Sequence, residues 1–330
     1  MKLPRRVGRT LAGIVLGAAL AGACGTAFAA VTPPLPATLS PGGRAAMEEN
    51  AVKPLVPLKD YPDQHKYIDR YQDVFGAMQR QRYAVDMTTA TMAGVPVRLI
   101  SAKGPRAHGN LILMNLHGGG FINDSGSQTE NIPIAALTGI PVVAVLYRLS
   151  APFPAGVDDA LAVYRELLKT HKASEIGVYG TSAGAVLGPE LLVRIRKEGL
   201  PEPAVFGMFS GDTDLSRKGD TLSALGFDIS GSYKQYAGSA GVESPLVSPS
   251  LGPFGYFPPT LCVSSSRDFY LSGTVNFCRK LELEGIENKL VVFDGLPHAF
   301  WSYLAMPESD QAFQIMAKFL SAHLAGAHRR

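Results

Sequence analysis

The hydrophobic pattern of the chain switches repeatedly between two periods after about residue 100. Short, nearly continuous apolar runs, typical of buried strands, alternate with stretches in which apolar residues recur every three or four positions, as on the buried face of a helix. The runs predict strands at 111–116, 142–146, 176–179, 204–209, 260–263 and 290–293. The helical stretches cover 158–169, 183–197 and 311–324. This alternation predicts an α/β fold with a mostly parallel sheet covered by helices on both faces.

The part of the chain before these runs has a different pattern. It starts at 31–58 as a Pro-rich, weakly patterned stretch, which we expect to lie as an arm over the surface. Residues 63–80 then show helical spacing of apolar side chains. Two strands are predicted next, at 82–88 and 95–100, around a turn at Ala93-Gly94.

A second irregular stretch, 211–256, is polar at first and then rich in Gly, Ser and Pro. Structureless loops of that length are rare inside a compact domain. We therefore expect short helices within it, at 220–225 and 231–237, standing over the sheet. Together with 31–80, this stretch is predicted to form a small cap on a single domain that spans 30–330.

The first 29 residues have the pattern of an export signal. A basic start is followed by an apolar run at 11–23 and by the small-x-small site Ala27-Phe28-Ala29. The run is too short and too rich in Gly and Ala for a convincing membrane span, so no span is expected after processing. We expect a periplasmic or secreted protein; the alternatives are an uncleaved anchor and a lipoprotein attached through Cys24.

Net charge argues against a nucleic-acid partner. The formal charge of +3 includes four basic residues in the signal, so it falls to −1 once they are removed. No basic stripe then remains to bind a phosphate backbone. Only Cys262 and Cys278 remain as cysteines, and neither has a neighbouring Cys or His at metal-ligand spacing. Two buried thiols are slightly favoured over a disulfide, which the exported compartment would permit.

The first candidate for chemistry is the pentapeptide Gly-Thr-Ser-Ala-Gly at 180–184, which lies between a predicted strand and a predicted helix. A serine nucleophile on such a sharp turn needs glycines beside it, because side chains there would collide with the strand and the helix. The N-terminus of the following helix favours negative charge near Ser182. A tight glycine turn with an inert serine is the alternative, since short Gly and Ser patterns also arise by chance.

The second candidate is His-Gly-Gly-Gly-Phe at 117–121, directly after the strand 111–116. Consecutive glycines let backbone N–H groups turn toward a substrate oxygen without obstruction. Each donor aimed at a developing oxyanion is worth about 3–4 kcal/mol. A flexible glycine loop is the alternative, but two motifs in this order and setting favour a hydrolase.

The two motifs resemble those of the hormone-sensitive-lipase-like branch of bacterial α/β-hydrolases. The resemblance extends from about residue 111 to the C-terminus and includes Tyr-Arg-Leu at 147–149 and Pro-Leu-Val-Ser-Pro at 245–249. It implies the α/β-hydrolase fold, a triad in the order serine, acid, histidine, and no metal or organic cofactor. The oxyanion-binding N–H groups would be those of Gly119, Gly120 and Ala183, with His117 and Gly118 supporting the loop. Thr181 departs from the family, which usually has an acidic residue before the serine.

Chain order places the rest of the triad downstream of Ser182. His298 lies in a loop after the last predicted strand, similar to the histidine loop of the family, and Asp268 follows the strand 260–263, where the acid of the family falls. The alternative acids are Glu282, Glu284 and Asp294. The other histidines fit the role less well: His65, His108, His117, His171, His323 and His328.

These residues predict a serine hydrolase that cleaves carboxylic esters of short to medium chain length through an acyl-enzyme. The expected partner is a small-molecule ester. Lactones, amides and thioesters are alternative substrates, and a non-catalytic small-ligand-binding protein is the alternative class. An exposed edge beside the last strand, 290–293, would permit a homodimer.

Overall fold

The computed structural model describes residues 33–52, 64–104 and 109–327. The predicted export signal and Cys24 lie outside these residues. The described chain forms one eight-stranded sheet in the order β1-β2-β4-β3-β5-β6-β7-β8. Strands β3 to β8 pair in parallel, whereas β1 and β2 are antiparallel to each other and β2 is antiparallel to β4. The strands are β1 Val85–Met92, β2 Val95–Ala102, β3 Ile112–Leu116, β4 Val142–Val145, β5 Ile176–Thr181, β6 Val205–Phe209, β7 Thr260–Arg267 and β8 Asn288–Pro297.

Helices cover both faces of the sheet. They are α1 Pro41–Val52, α2 Gln64–Arg82, α3 Asn131–Thr138, α4 Ala155–Leu167, α5 Ala183–Lys197, α6 Asp220–Ala224, α7 Ser230–Ala237, α8 Leu271–Leu283 and α9 Pro307–Ala327. One apolar core holds the buried sides of α4, α5 and α8, and the other holds those of α2, α3 and α9. No described helix is long and apolar enough to cross a membrane.

The central strands are mostly apolar because each lies between these two cores. Side chains of a strand point alternately to opposite faces, so neighbours on β3 divide between the cores: Leu113 packs with α9 and Met114 with α5. Every residue of β3, β5 and β6 is buried. This explains why the hydrophobic runs in the sequence show no period of two there.

The predicted fold is confirmed: the sheet is mostly parallel and carries helices on both faces. Two parts differ from the expectation. The Pro-rich arm contains a helix, α1, and a helix that the pattern did not indicate, α3, follows the glycine loop. Six of the eight residues of α3 are buried, so it lacks the polar face on which a helical period depends.

The prediction of two free thiols is wrong, because Cys262 and Cys278 form a disulfide. Cys262 lies on β7 and Cys278 on α8, which packs against that strand with the two Cα atoms 6.7 Å apart. A sequence separation of 16 does not reveal this contact, since it depends on the angle at which the helix returns to the sheet.

The disulfide should contribute measurably to stability. Closing a loop of about 15 residues in the unfolded chain is worth about 3 kcal/mol. We therefore expect the double variant Cys262→Ala/Cys278→Ala to lose about 2–4 kcal/mol of unfolding free energy in urea denaturation. Dithiothreitol should destabilise the wild type by a similar amount and leave the double variant unchanged. Equal stability of both proteins without reductant would contradict a structural role for the bond.

Candidate active site

Ser182 occupies a strained turn between β5 and α5. Its backbone has φ 57° and ψ −119°, a conformation that L-residues rarely adopt. The Ser182 N–H donates to the carbonyl oxygen of Phe209 on β6 at 3.0 Å, which holds the turn. A Cβ at Gly180 would lie 2.2 Å from the carbonyl oxygen of Gly184, and one at Gly184 would lie 1.8 Å from that of Leu116. Both glycines of the motif are therefore required by close backbone contact.

The structure brings Ser182, His298 and Asp268 into one hydrogen-bonded row. His298 Nε2 lies 2.9 Å from Ser182 Oγ, and His298 Nδ1 lies 2.7 Å from Asp268 Oδ1. The three residues follow the C-terminal ends of β5, β8 and β7, where open α/β sheets bind ligands. The arrangement has the geometry of a nucleophile, its base and the acid that orients the base.

Asp268 is completely buried but well supplied with donors. Besides His298, the Tyr270 N–H donates to Oδ1 at 2.9 Å and the Ser264 hydroxyl donates to Oδ2 at 2.7 Å. Burial acts to raise the pKa of Asp268, but the charge of His298 and the hydrogen bonds from His298 and Ser264 hold the pKa below its ordinary value. The carboxylate therefore stays ionised and can stabilise a positive charge on the imidazole.

Two aromatic rings fix the imidazole of His298 from the side. The ring of Phe269 is tilted against it with centroids 4.2 Å apart, and the ring of Tyr270 meets it edge-on at 5.4 Å. Both belong to the same loop as Asp268. The His298 side chain keeps 13% of its surface exposed, so it can exchange a proton with substrate at the open side of the row.

The glycine loop lies against the serine. A Cβ at Gly118 would come within 3.2 Å of the Ser182 Cβ. Gly119 and Gly120 have φ of +117° and +63°, which favour glycine. The N–H groups of these two residues and of Ala183 find no acceptor among the residues that the structure describes. Ala183 begins α5, so its N–H is one of the unpaired donors at a helix N-terminus. All three donors are available to an oxyanion.

His117 and Tyr147 form the floor of the loop. The two rings stack with centroids 4.3 Å apart, and the Tyr147 hydroxyl donates to the His117 carbonyl oxygen at 2.7 Å. His117 Nδ1 lies 2.7 Å from the carbonyl oxygen of Gly118. Because the ring is 1% exposed, His117 supports the loop and does not face the substrate.

Sequence reasoning missed the residue that closes the far end of this loop, Asp124. Its carboxylate accepts the N–H groups of Gly126 and Ser127 at 3.2 and 2.9 Å, and also the Ser127 hydroxyl. Burial acts to raise the pKa of Asp124, but the charge of His117 and the Ser127 hydrogen bonds lower it. Gln72 on α2 donates to the Asp124 carbonyl oxygen at 3.0 Å. In the sequence, the only indication of this role was the spacing Asp-x-Gly-Ser, which is a turn pattern.

Substitution of Gly119 tests the role of the glycine loop in catalysis. A Cβ there would lie 2.0 Å from the backbone oxygen of Asn123, so Gly119→Ala must displace the N–H groups around it. We expect kcat/KM to fall by about 100-fold or more, the loss typical of an oxyanion donor. Gly94→Ala is the matched control, because Gly94 also has a positive φ of 83° but no atom within 4 Å of its Cβ position. Similar activity of the two variants would contradict the role of the loop.

The residues that the sequence offered as alternatives to Asp268 and His298 have other partners. None of the three alternative acids hydrogen-bonds to His298 in the described part of the chain. Glu282 accepts from Asn288, and Glu284 accepts from the Phe254 N–H. Asp294 accepts from Thr38 and Ser266. His171 lies beside Thr170, and His323 lies 3.0 Å from Glu287. His108, His328 and the side chain of His65 are outside the described residues.

Aromatic side chains link the predicted cap segment to the loop. The ring of Tyr236 on α7 stacks on that of Phe121 with centroids 3.7 Å apart, and its hydroxyl donates to buried Glu190 on α5. Phe227 packs against Phe269 at 5.1 Å. Residues of the stretch 211–256 thus stand beside both the glycine loop and the histidine.

The N-terminal arm packs against the base of the histidine loop. The Thr38 hydroxyl donates to Asp294 at 2.5 Å, four residues before His298. Gly295 has φ +71°, and a Cβ there would lie 2.3 Å from the ring of Pro36. The arm therefore requires glycine at this position and covers the end of β8 that leads to His298.

The site has the groups for acyl transfer without a metal. In the part of the chain that the structure describes, no group of three or more His, Cys, Asp and Glu side chains is placed to hold a metal ion. The candidate nucleophile, base, acid and oxyanion donors all come from protein groups, as acyl transfer requires.

Comparison with known proteins assigns the family. Residues 113–302, more than half of the chain, match the family model of the alpha/beta hydrolase fold. The chain therefore belongs to the α/β-hydrolase fold family. It is also similar to an acetyl-hydrolase of Streptomyces hygroscopicus, with 29% identity over 226 residues that cover 63% of this chain and 74% of the relative.

Solved structures make the class more specific. Esterase E25 is 26% identical with a TM-score of 0.74, over 92% of this chain and 98% of that one. An esterase from the bacterial hormone-sensitive lipase family is also 26% identical, with a TM-score of 0.68 over 78% of this chain and 92% of that one. The predicted resemblance is confirmed, and the chain is a carboxylesterase-type hydrolase.

Proposed function

We propose that the protein is a serine carboxylesterase that hydrolyses short-chain esters, acetyl esters foremost, through an acyl-enzyme on Ser182. The observation that carries the proposal is the row Ser182–His298–Asp268, with separations of 2.9 and 2.7 Å, beside the glycine loop. The acetyl preference rests on the similarity to an acetyl-hydrolase. The ring of Phe121, directly after the three glycines, supports it together with the stacked ring of Tyr236 from α7, because two bulky rings limit the room beside the loop.

The mechanism follows from the hydrogen bonds. His298 Nε2 takes the proton of the Ser182 hydroxyl as its oxygen attacks the ester carbonyl carbon, and Asp268 stabilises the resulting imidazolium. The N–H groups of Gly119, Gly120 and Ala183 hold the oxyanion. Collapse of this intermediate expels the alcohol, which receives the proton from His298. Water then attacks the acyl-enzyme by the same steps and releases the acid.

Substrate length tests the proposal. Across p-nitrophenyl acetate, butyrate, octanoate and palmitate, we expect kcat/KM to be highest for acetate and to fall steeply beyond butyrate; a maximum at butyrate would contradict the acetyl preference alone. Lactone, anilide and thioester substrates should give lower values than a matched ester. A maximum at octanoate or longer, or faster hydrolysis of one of the other bonds, would overturn the substrate assignment while leaving the triad in place.

Export to an oxidising compartment is a further part of the proposal. The basic and apolar pattern of residues 1–29 supports it, and so does the disulfide between Cys262 and Cys278, since disulfides persist mainly in exported proteins. We expect the mature protein to start at residue 30. N-terminal sequencing of the protein isolated from its natural compartment would measure this; an intact Met1, or a lipid on Cys24, would contradict it.

The last part of the proposed function is a homodimer that forms through the edge of the sheet. Strand β8 ends the sheet and so presents an edge that could pair with another chain, and Leu290 and Val292 on it are 39% and 43% exposed. Light scattering should give twice the monomer mass for the wild type and the monomer mass for Val292→Lys. A monomeric wild type would overturn this part alone.

A further inference from the structure

A buried acid that the mechanism does not use lies behind the serine turn. Glu130 precedes α3 and is 3% exposed. Its Oε2 atom lies 3.0 Å from the position that a Cβ on Gly126 would take, so the glycine makes room for the carboxyl group. Carboxylic acids are rarely buried to this extent without a partner of opposite charge.

The neighbours of this carboxyl group belong to the two chain segments that carry Ser182 and His298. Two polar groups act to lower its pKa. They are the hydroxyl of Thr181, the residue before Ser182, and the indole N–H of Trp301, three residues after His298. Both side chains are 1–2% exposed. Thr181 Oγ1, Trp301 Nε1 and Glu130 Oε2 are buried atoms without a hydrogen bond of ordinary geometry among the described residues. Three buried polar atoms in one place would destabilise the fold unless they hydrogen-bond to each other.

We propose that Glu130 is a positioning residue, whose carboxyl group links Thr181 to Trp301 and so holds the serine turn and the histidine loop at the spacing that catalysis needs. The proposal rests on the esterase function proposed above. A neutral carboxyl group suits the place, because it can accept from the indole N–H and share a proton with the Thr181 hydroxyl. Thr181, where the resembling family has an acidic residue, provides that hydroxyl.

Ionisation would not remove these contacts, since a carboxylate also accepts from both donors, but the buried charge would destabilise the two segments that Glu130 links. The other titratable groups that act on Glu130 are Asp124, which is negative, and Tyr179 on β5, so no cation among the described residues acts on this carboxyl group. Burial raises the pKa of Glu130 to about 8. The folded protein therefore holds this proton more tightly than the unfolded chain, and the stability that it contributes is lost as pH rises from about 4.5 to about 8.

The experiment compares pH profiles of kcat for p-nitrophenyl acetate. We expect the wild type to lose activity on the alkaline side with a midpoint near pH 8. Glu130→Gln, which mimics the neutral acid, should keep KM within about twofold, retain activity at pH 7 and remove that alkaline loss. Glu130→Leu should lower kcat about 10- to 100-fold at constant KM, since small displacements of reacting groups cost that much.

Asp212→Asn is the matched control. Asp212 is also buried, with a pKa that burial raises to about 7, but it accepts N–H groups of its own loop, from Thr213 and Asp214. We expect this variant to keep the wild-type alkaline loss. The proposal is overturned if Glu130→Gln retains that loss, or if Asp212→Asn removes it equally.

A further variant keeps the proposal testable if Glu130→Gln does not fold. The Thr181 hydroxyl lowers the pKa of Glu130, so Thr181→Val should move the alkaline midpoint to higher pH. An unmoved midpoint would overturn the proposal. These results are separable from the function itself, because a wild type that does not hydrolyse p-nitrophenyl acetate at any pH would overturn the esterase assignment first.

Discussion

Replacement of Ser182 by alanine should abolish ester hydrolysis and leave the fold intact. The hydroxyl is the only group in the row that can form the acyl bond, and removing a nucleophile of this kind lowers kcat by about 10⁶-fold in a comparable triad. The side chain does not hold the turn, since it is the backbone N–H of Ser182 that donates to Phe209. Circular dichroism and thermal unfolding should therefore match those of the wild type.

The measurement pairs kcat/KM for p-nitrophenyl acetate with labelling by a fluorophosphonate probe. Ser250→Ala is the matched control, because the Ser250 hydroxyl is also hydrogen-bonded, to Thr213, but lies outside the triad row. Ser250→Ala should keep both activity and labelling, and Ser182→Ala should lose both. Persistent hydrolysis by folded Ser182→Ala would show that another residue is the nucleophile and would end the assignment of the site.

Asp268→Asn should have the second largest effect, lowering kcat by about 10⁴-fold. The amide preserves the shape of the side chain, but its NH₂ group can face His298 Nδ1 and favour the imidazole tautomer that carries its proton on Nε2. That tautomer cannot accept the proton of Ser182. The loss should appear mainly in kcat, because Asp268 is completely buried and does not contact substrate.

Asp294→Asn distinguishes this role from general loss of a carboxylate near the histidine loop. Asp294 was an alternative acid in the sequence; it lies on β8, four residues before His298, but pairs with Thr38 and Ser266. We expect Asp294→Asn to retain most of the activity. If the two variants lost activity equally, or if Asp294→Asn lost more, the triad acid would have to be reassigned.

The sequence predicted the parts of the molecule that depend on local pattern and chain order. Buried parallel strands have continuous apolar runs, so the strands from β3 onward could be placed within a few residues. The glycines around Ser182 mark a turn whose backbone contacts allow no side chain. Asp268 and His298 follow strand ends in the expected order, and the structure places both in contact with the serine through one row.

The rest depends on contacts between distant segments, which no local pattern contains. Helix α3 is almost wholly buried and so shows no amphipathic period. The disulfide partner of Cys262 depends on how α8 packs back onto β7. Glu130 is an ordinary acidic residue in the sequence, and only folding surrounds it with Thr181 and Trp301. Glu130 was therefore missed, although His117 and Gly118, which support the glycine loop, were predicted.

The contact between the arm and β8 joins residues from opposite ends of the chain. Thr38 and Asp294 are 256 positions apart, so the ribosome makes one partner long before the other. Contacts of such separation form late, because the intervening chain must first be ordered. We expect a nascent or partly translocated chain to lack a fixed catalytic histidine and hence to be inert. Under the proposed export, the enzyme would then acquire its activity only in the compartment where folding is completed.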